Sequence, residues 1–327
     1  MVSDLDIEQA VAVLRAGGLV AFPTETVYGL GADASNPEAV RKIFAVKGRP
    51  ATHPVIVHIA DAAELPAWAS EVPDAAHRLA RRFWPGPLTL ILKRARSVND
   101  VVTGGQETVA LRVPSHPVAR QLLARFGGGV AAPSANRFGR VSATTAEHVR
   151  REFGDAVDCV LDGGEADVGI ESTIVDLSGA TPALLRPGWI TADELASAIG
   201  VPLAPAVAGA PRAPGTLAAH YAPQTPLMLV EGTNLLAELA ATLVRQGKKV
   251  AVLAFSAARP LFPNIAWIAA PREARGYAHA LYANLRALDD AGCDTILVEK
   301  PPQAAAWGAI NDRLSRAAAG SSAPDDT

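Results

Sequence analysis

A polar segment with hydroxyl and carboxyl groups follows the first predicted strand of the chain. Residues 22–31 contain two threonines and one glutamate after a proline, and they end in Gly29-Leu-Gly31. Glycines at these positions allow the backbone to approach a ligand closely. A polar loop between a strand and a helix would have the same composition, so the segment is a candidate binding loop with that alternative left open.

A pair of cations lies at the end of the next predicted helix, which begins near Asn36. Lys47 and Arg49 are separated by a glycine and followed by Pro50. Arginine offers a bidentate fork and lysine a point charge, so the two side chains could hold a single anion. The alternative is favourable charge at a helix C-terminus, which contributes only ~0.3–1 kcal/mol.

Small polar side chains also follow an apolar strand in the middle of the chain. In Pro133-Ser-Ala-Asn136 a hydroxyl and an amide come directly after the predicted strand. Ligands bind at the carboxyl ends of strands in α/β sheets, although a local turn would use the same residues.

Arg112 lies near the end of another predicted strand. A buried arginine needs an anionic partner, which is either a ligand or a structural carboxylate.

The elements that must position these residues alternate between strand and helix patterns. This alternation predicts an α/β fold with a mixed sheet. The predicted strands are residues 19–22, 55–59, 88–92, 108–113, 157–161 and 172–177, and helices are predicted at 75–83, 118–126 and 146–153.

Composition divides the chain into two domains. Residues 201–215 contain four prolines and two glycines, which excludes a helix or a central strand and indicates a linker or an extended arm. Further strand and helix patterns follow it. We therefore predict a first domain over residues 1–200, an arm over 201–225, a smaller α/β domain over 226–320 and a disordered tail over 321–327. The length of 327 residues agrees with about two domains.

Charge and cysteine content exclude several classes of protein. The net charge is −3, without the basic excess typical of a protein that coats nucleic acid. Two cysteines 134 positions apart exclude a disulfide scaffold and a cysteine-based zinc site. No apolar run is long enough to span a bilayer, and the first residues lack the pattern of a signal peptide. We therefore expect a cytoplasmic protein.

Common catalytic and nucleotide-binding motifs are missing from the sequence. It contains no G-x-x-x-x-G-K-[ST], no G-x-G-x-x-G after a strand, no G-x-S-x-G and no H-E-x-x-H. A nucleotide would therefore need another kind of binding loop.

Taken in their order along the chain, the polar segments resemble the YrdC-type threonylcarbamoyl-AMP synthase family. The resemblance runs from about residue 5 to 200, and a motif around His220-Tyr221 with the domain after it is similar to the long, two-domain form of the family. It implies a YrdC-like twisted mixed sheet with helices and a smaller Rossmann-like domain. The further segments that carry it are His58, Leu111-Arg-Val-Pro114, Glu171-Ser-Thr-Ile-Val-Asp176, Leu185-Arg-Pro-Gly188 and Ala213-Pro-Gly-Thr-Leu-Ala-Ala-His-Tyr-Ala-Pro223.

The resemblance also implies a reaction. L-threonine, bicarbonate or CO2, and ATP would give threonylcarbamoyl-AMP and pyrophosphate, and separate proteins would use the product to modify a tRNA adenosine beside the anticodon. Mg2+ would accompany ATP, held mainly by phosphate oxygens and water, so few dedicated protein ligands are expected and no residue is assigned to the metal. Neither a membrane nor strong direct binding of nucleic acid is expected.

Site residues are carried over from the family motifs position by position. Lys47 and Arg49 should lie at the carbamate and phosphates. The Pro-rich arm should act as a lid that keeps water from the mixed anhydride. Threonine should contact Thr24, His58, Arg112 and Ser172, and ATP should contact Thr52, Thr108, Ser134, Asn136, Ser142, Arg186, His220 and Tyr221.

Two departures and two alternatives remain. His53 stands where the family usually has asparagine, and Thr216 where it usually has methionine. From them we expect a changed local loop contact and a weaker apolar anchor of the lid. One alternative function is an RNA-binding module, which the net charge and scarce aromatics argue against. The other is a carbamoyl-adenylate-forming enzyme of the hydrogenase-maturation type, whose full-length forms carry cysteine-rich zinc motifs.

Overall fold

A computed structural model describes residues 2–207, 209–256, 258–259 and 265–321. The chain forms two compact units, and the α/β fold class with two separate sheets is confirmed. The first unit contains Met1–Phe138 and Ala143–Thr216, and the second contains Gly139–Ser142 and Leu217–Thr327. The division therefore falls within the predicted arm, and a four-residue insertion of the first half groups with the second unit.

A ten-stranded mixed sheet forms the centre of the first unit. Its order is β10-β9-β8-β4-β5-β3-β6-β2-β1-β7, with both parallel and antiparallel pairs. The strands are β1 Val20–Phe22, β2 Gly29–Asp33, β3 Ile56–His58, β4 Leu88–Lys93, β5 Thr108–Arg112, β6 Val130–Ala131, β7 Cys159–Val160, β8 Thr173–Asp176, β9 Ala183–Arg186 and β10 Ala204–Pro205.

Eight α-helices accompany this sheet within the described residues of the first unit, and the second one shows why they form where they do. The Asn36 side chain accepts hydrogen bonds from the amides of Glu38 and Ala39 at the start of α2 (Pro37–Lys47), Pro37 occupies the first turn, and Gly48 ends the helix with φ 62°. The helices are α1 Asp4–Arg15, α2 Pro37–Lys47, α3 Leu65–Trp68, α4 Asp74–Phe83, α5 Asp100–Thr103, α6 Pro117–Phe126, α7 Ala146–Phe153 and α8 Ala192–Ile199.

The core of the first unit is aliphatic, as the low aromatic content predicts. Ile43 of α2 shares one buried cluster with Leu30, Val57, Leu90 and Leu111 of four different strands. Each such side chain contributes about 1.5–3 kcal/mol when it is removed from water. The helix that carries Lys47 is thus fixed against the middle of the sheet.

The first polar segment forms a hairpin and not a strand-to-helix loop. β1 and β2 pair antiparallel, with Phe22 opposite Gly29, so residues 23–28 form the loop of the hairpin. Sequence analysis missed β2 because glycines weaken a strand pattern. Gly31 is required by packing: a Cβ there would lie 2.8 Å from the side chains of Phe22 and Val130.

Part of the predicted arm belongs to the edge of the first sheet. Ala204–Pro205 pairs in parallel with β9, and Ala213 packs in a buried cluster with Ile91 and Ala110. Proline is tolerated in this strand because it lies at the sheet edge. The described residues of the Pro-rich segment up to Thr216 therefore belong to the edge of the first unit.

The second unit has a parallel four-stranded sheet in the order β11-β14-β12-β13. The last helix, α11 (Gly308–Ser321), includes Ser321, so the start of the predicted disordered tail at residue 321 is one residue too early. Residues 322–327 lie outside the described part. None of the helices in the described part of the chain is long and apolar enough to cross a membrane. The elements are β11 Leu227–Val230, α9 Thr233–Arg245, β12 Val250–Ala254, β13 Ile265–Ala269, α10 Ala274–Asp289, β14 Thr295–Glu299 and α11 Gly308–Ser321.

Candidate active site

The amine of Lys47 links two of the polar segments found in the sequence. Because Gly48 ends α2, Lys47 is the last residue of the helix, and its side chain is 3% exposed. Its Nζ donates a hydrogen bond of 2.6 Å to the carbonyl oxygen of Ser134 and a second one to the carbonyl oxygen of Asn136. The amine of Lys47 thus contacts the backbone of the Pro133–Asn136 segment through two hydrogen bonds.

Burial lowers the pKa of Lys47 well below its ordinary value, and the nearby Arg49 lowers it further. The two effects have different causes but the same direction: burial removes water from the charged amine, and the neighbouring cation repels it. An anionic ligand placed next to Nζ would reverse them and favour the charged form. The position is therefore suited to an anion such as a carbamate or a phosphate.

Arg49 lies against an aromatic ring in the same region. Its Nη2 donates to the carbonyl oxygen of Pro54 at 2.9 Å, and its guanidinium carbon lies 5.6 Å from the centre of the Phe138 ring. The His53 ring meets the same phenyl ring edge-on at 5.3 Å. His53 thus has a packing role in this loop, and burial, followed by the charge of Arg49, lowers its pKa.

A buried ion pair joins the hairpin loop to the end of β5. Nη2 of Arg112 donates to Oε1 of Glu25 at 2.6 Å, and the two side chains are 4% and 6% exposed. Nε of Arg112 donates to the carbonyl oxygen of Gly86 at 3.3 Å. Of the two partners left open by the sequence, a structural carboxylate is therefore present, and it contacts Nη2 of the guanidinium.

His58 lies beside Arg112 in a neighbouring strand. The two residues are in register in the parallel pair β3–β5, and His58 is 3% exposed. Its Nδ1 is buried and has no hydrogen-bond partner in the described ranges. Desolvation and the charge of Arg112 lower the pKa of His58 to about 3, so the imidazole is neutral. A neutral ring with an unused nitrogen is available to a polar ligand group.

The hydroxyl of Thr24 is used within its own loop. It donates to the carbonyl oxygen of Val27 at 2.6 Å and lies 2.8 Å from the hydroxyl of Thr26. The same oxygen also accepts hydrogen bonds from the amides of Thr26 and Val27 at 3.2 and 3.3 Å, so a ligand contact by Thr24 would require a change of partner.

Ser172 and Arg186 form a second buried cluster. Nε and Nη2 of Arg186 donate to the carbonyl oxygen of Ser172 at 3.1 and 2.9 Å, and Nη2 also donates to the serine hydroxyl at 3.1 Å. The hydroxyl of Thr89 lies 2.8 Å from that of Ser172, and Nη1 of Arg186 donates to the carbonyl oxygen of Pro214 at 2.8 Å. Arg186 thereby holds the Pro-rich segment to this side of the first unit.

The other predicted ATP residues are more scattered. Thr52 is exposed in a turn and Thr108 is half-buried at the start of β5. Three residues belong to the second unit, and their contacts with ATP remain predictions. They are Ser142, His220 and Tyr221.

Within the second unit, the surroundings of these three residues are well defined. The carbonyl oxygen of Ser142 accepts a hydrogen bond of 3.2 Å from Nε of Arg286. Tyr221 has a positive φ of 61°. Its ring stacks on that of Tyr282 with the ring centres 5.8 Å apart, and the guanidinium carbon of Arg313 lies 5.2 Å from the centre of the Tyr221 ring. A non-glycine residue in this backbone region is uncommon and requires support from its surroundings.

Sequence analysis missed the role of Glu25 and of Thr89. Glu25 lies in the first polar segment, and the signal that could have identified it is Arg112, a strand arginine that needs a carboxylate. Across the described ranges, no group of three or more histidine, cysteine, aspartate or glutamate side chains could hold a metal ion.

Comparison with known proteins gives concordant matches over both units. Residues 12–188 match the Sua5/YciO/YrdC family model, described as "Telomere recombination", and residues 190–319 match the model described as "Threonylcarbamoyl-AMP synthase, C-terminal domain". A threonylcarbamoyl-AMP synthase from Pyrococcus abyssi is 41% identical over 326 residues, covering 97% of this chain and 95% of the relative. One from Bacillus subtilis is 40% identical, with 97% and 94% covered.

A solved structure gives the same result. The crystal structure of Sua5 from P. abyssi complexed with L-threonine superimposes with a TM-score of 0.90 at 38% identity. The alignment covers 98% of this chain and 96% of that one. Both units are thus similar to those of this relative.

Proposed function

The chain belongs to the Sua5/YrdC family of threonylcarbamoyl-AMP synthases, and we propose that it forms threonylcarbamoyl-AMP and pyrophosphate from L-threonine, ATP and bicarbonate or CO2. The relatives that match nearly the whole chain carry the synthase name, which favours this function over an RNA-binding module or a carbamoyl-adenylate-forming enzyme. The observation that carries the proposal is the contact of Lys47 with the carbonyls of Ser134 and Asn136, because it places a buried cation on the segment expected to bind ATP.

In this proposal threonine occupies the region of Arg112 and His58. Nη1 of Arg112 pairs with the threonine carboxylate, and the neutral His58 ring contacts a polar group of the same ligand. Thr24 and Ser172 complete the threonine site. The proposal is supported by the burial of Arg112 and His58 in neighbouring strands and by the relative that binds L-threonine.

Lys47 and Arg49 neutralise the charge that develops during the reaction. The threonine amine attacks the carbon source to give a carbamate, a carbamate oxygen attacks the α-phosphorus of ATP, and pyrophosphate leaves. Such a reaction needs positioning and electrostatic stabilisation more than a covalent protein nucleophile. Mg2+ enters with ATP, bound by phosphate oxygens and water, as part of the substrate.

ATP contacts the polar residues that remain, and the Pro-rich arm shields the product from water. The hydrogen bond from Arg186 to the Pro214 carbonyl supports a coupling between the arm and a nucleotide-binding side chain. The product then passes to separate proteins that modify tRNA. The ATP residues in this proposal are Thr52, Thr108, Ser134, Asn136, Ser142, Arg186, His220 and Tyr221.

Isotope labelling tests the identity of the product. The purified protein is incubated with Mg-ATP, L-threonine and 13C-bicarbonate, and the small molecules are analysed by mass spectrometry. We expect threonylcarbamoyl-AMP with one 13C in the carbamoyl group, and its absence when threonine is omitted. Formation of an adenylate that contains no threonine would contradict the proposal.

A further inference from the structure

We propose that Glu25 is a positioning residue, which fixes the guanidinium of Arg112 so that its free end faces the carboxylate of threonine. This inference rests on the proposed function, since it assumes that threonine binds at Arg112. It assigns a role to a buried carboxylate that lies within the hairpin loop and has no part in the chemical steps.

The hydrogen bonds of Arg112 divide the guanidinium into a held edge and a free end. Nε donates to the carbonyl oxygen of Gly86 and Nη2 donates to Glu25, and these two nitrogens form one edge of the planar group. Nη1 has no hydrogen-bond partner in the part of the chain that the structure describes. Holding one edge at both nitrogens fixes the plane and the direction of the free end.

The Glu25 carboxylate is itself held from both sides. Its Oε2 accepts a hydrogen bond of 3.0 Å from the backbone amide of Ser115, and Oε1 accepts from Arg112. The backbone of Glu25 is anchored as well, because its carbonyl oxygen accepts from the amide of Val168 at 2.7 Å. The carboxylate of Glu25 is therefore held in one position, and from there it fixes the orientation of the Arg112 guanidinium.

Electrostatics explain why the group is a carboxylate and not an amide. Arg112 is 4% exposed, and a buried guanidinium without a counter-charge is strongly disfavoured. Glu25 supplies that counter-charge whether or not threonine is bound, so the guanidinium stays in place in the empty site. A glutamine would retain an acceptor oxygen of the same shape but would remove the charge that holds the edge.

The test compares ligands with and without a carboxylate. Glu25→Gln and Glu25→Asp are prepared with Glu71→Gln as control, since Glu71 pairs with Lys93 at an exposed site. Dissociation constants are measured by calorimetry for L-threonine, L-threoninamide and ATP. For Glu25→Gln we expect threonine to bind about tenfold more weakly, with threoninamide and ATP changed less than about twofold. Glu25→Asp should recover part of the threonine affinity because it restores the charge.

Several outcomes would overturn the inference. Unchanged or tighter threonine binding in Glu25→Gln would show that Glu25 is inert or competes with the ligand for Arg112. Equal weakening of threonine, threoninamide and ATP would show a general structural role. If Glu25→Gln does not fold, Glu25→Asp decides: a threonine KM equal to that of wild type overturns the inference. Wild-type protein that binds no threonine would overturn the proposed function too, which separates the two failures.

Discussion

Nζ of Lys47 donates a hydrogen bond of 2.6 Å to the carbonyl oxygen of Ser134, 87 residues further along the chain. This contact joins the C-terminus of α2, which ends before Gly48, to the loop after β6, and Lys47 is only 3% exposed. The consequence is a buried cation whose pKa is lowered by desolvation and by Arg49. An anionic substrate relieves that cost on binding, which is the physical basis of the first prediction.

Lys47→Ala should lower the rate of threonylcarbamoyl-AMP synthesis by roughly 100-fold or more, because it removes a cation that stabilises developing negative charge. The matched control is Lys249→Ala, since Lys249 is exposed in the second unit. That variant should retain activity within about twofold. Steady-state rates at saturating substrates measure both. Equal effects of the two substitutions would show that the anion site lies elsewhere.

Arg112→Ala should destabilise the protein by about 3–5 kcal/mol, because it leaves the Glu25 carboxylate buried without its counter-charge. Arg125→Ala is the control: Arg125 pairs with Asp4 at a largely exposed site, where such a pair contributes about 0–1 kcal/mol. Urea unfolding followed by circular dichroism gives both free energies. A loss below about 1 kcal/mol for Arg112→Ala would contradict a structural role of the pair.

The neutral state of His58 predicts a pH-dependent difference in stability. The pKa of His58 is about 3 in the folded protein against 6.5 as its ordinary value, so below pH 6.5 the unfolded chain binds the extra proton. The free energy of unfolding should therefore fall as the pH decreases. Between about pH 7.5 and 5.5, wild type should lose about 1 kcal/mol more than His58→Gln.

Unfolding titrations of both proteins at several pH values check this prediction. The other histidines with lowered pKa, His53 and His116, are common to both proteins and cancel in the difference. A stability difference between the two proteins that does not change with pH would mean that His58 binds a proton as readily in the folded state as in the unfolded state, which would contradict its lowered pKa.

Gly188→Ala should disturb the Ser172–Arg186 cluster. A Cβ at this position would lie 2.4 Å from the backbone nitrogen of Thr173 and 2.7 Å from the carbonyl carbon of Ser172. The backbone must shift, at a cost of about 1–3 kcal/mol, and ATP binding should weaken with it. Gly179→Ala meets nothing within 4 Å and should leave both properties unchanged. Thermal unfolding and ATP titration compare the two; similar results for both would contradict this packing argument.

Local patterns in the sequence were sufficient to predict α2, including its start at Asn36 and its end after Lys47. Capping residues, the proline in the first turn and the glycine stop are all local signals. The hairpin strand β2 was missed because its glycines reflect a close approach to Phe22 and Val130, which only the folded chain reveals. Similarly, the role of the 204–216 segment depends on pairing with β9, a partner that local composition does not specify.

The candidate site was predictable as a set of segments but not as a set of contacts. Lys47, Arg112 and Ser134 were identified from charge, polarity and resemblance. The partner of Arg112 was not, because Glu25 is 87 residues away along the chain and meets it only through the fold. The lowered pKa values of Lys47 and His58 depend on burial, which residue spacing does not fix.

The release of pyrophosphate from ATP tests the central claim most directly. The protein is assayed with a coupled pyrophosphate assay in reactions that contain Mg-ATP, L-threonine and bicarbonate, and in reactions that lack one of the three. We predict release in the complete mixture and only background release when threonine or bicarbonate is omitted. Pyrophosphate release that proceeds equally without threonine would contradict the assignment of this chain as a threonylcarbamoyl-AMP synthase.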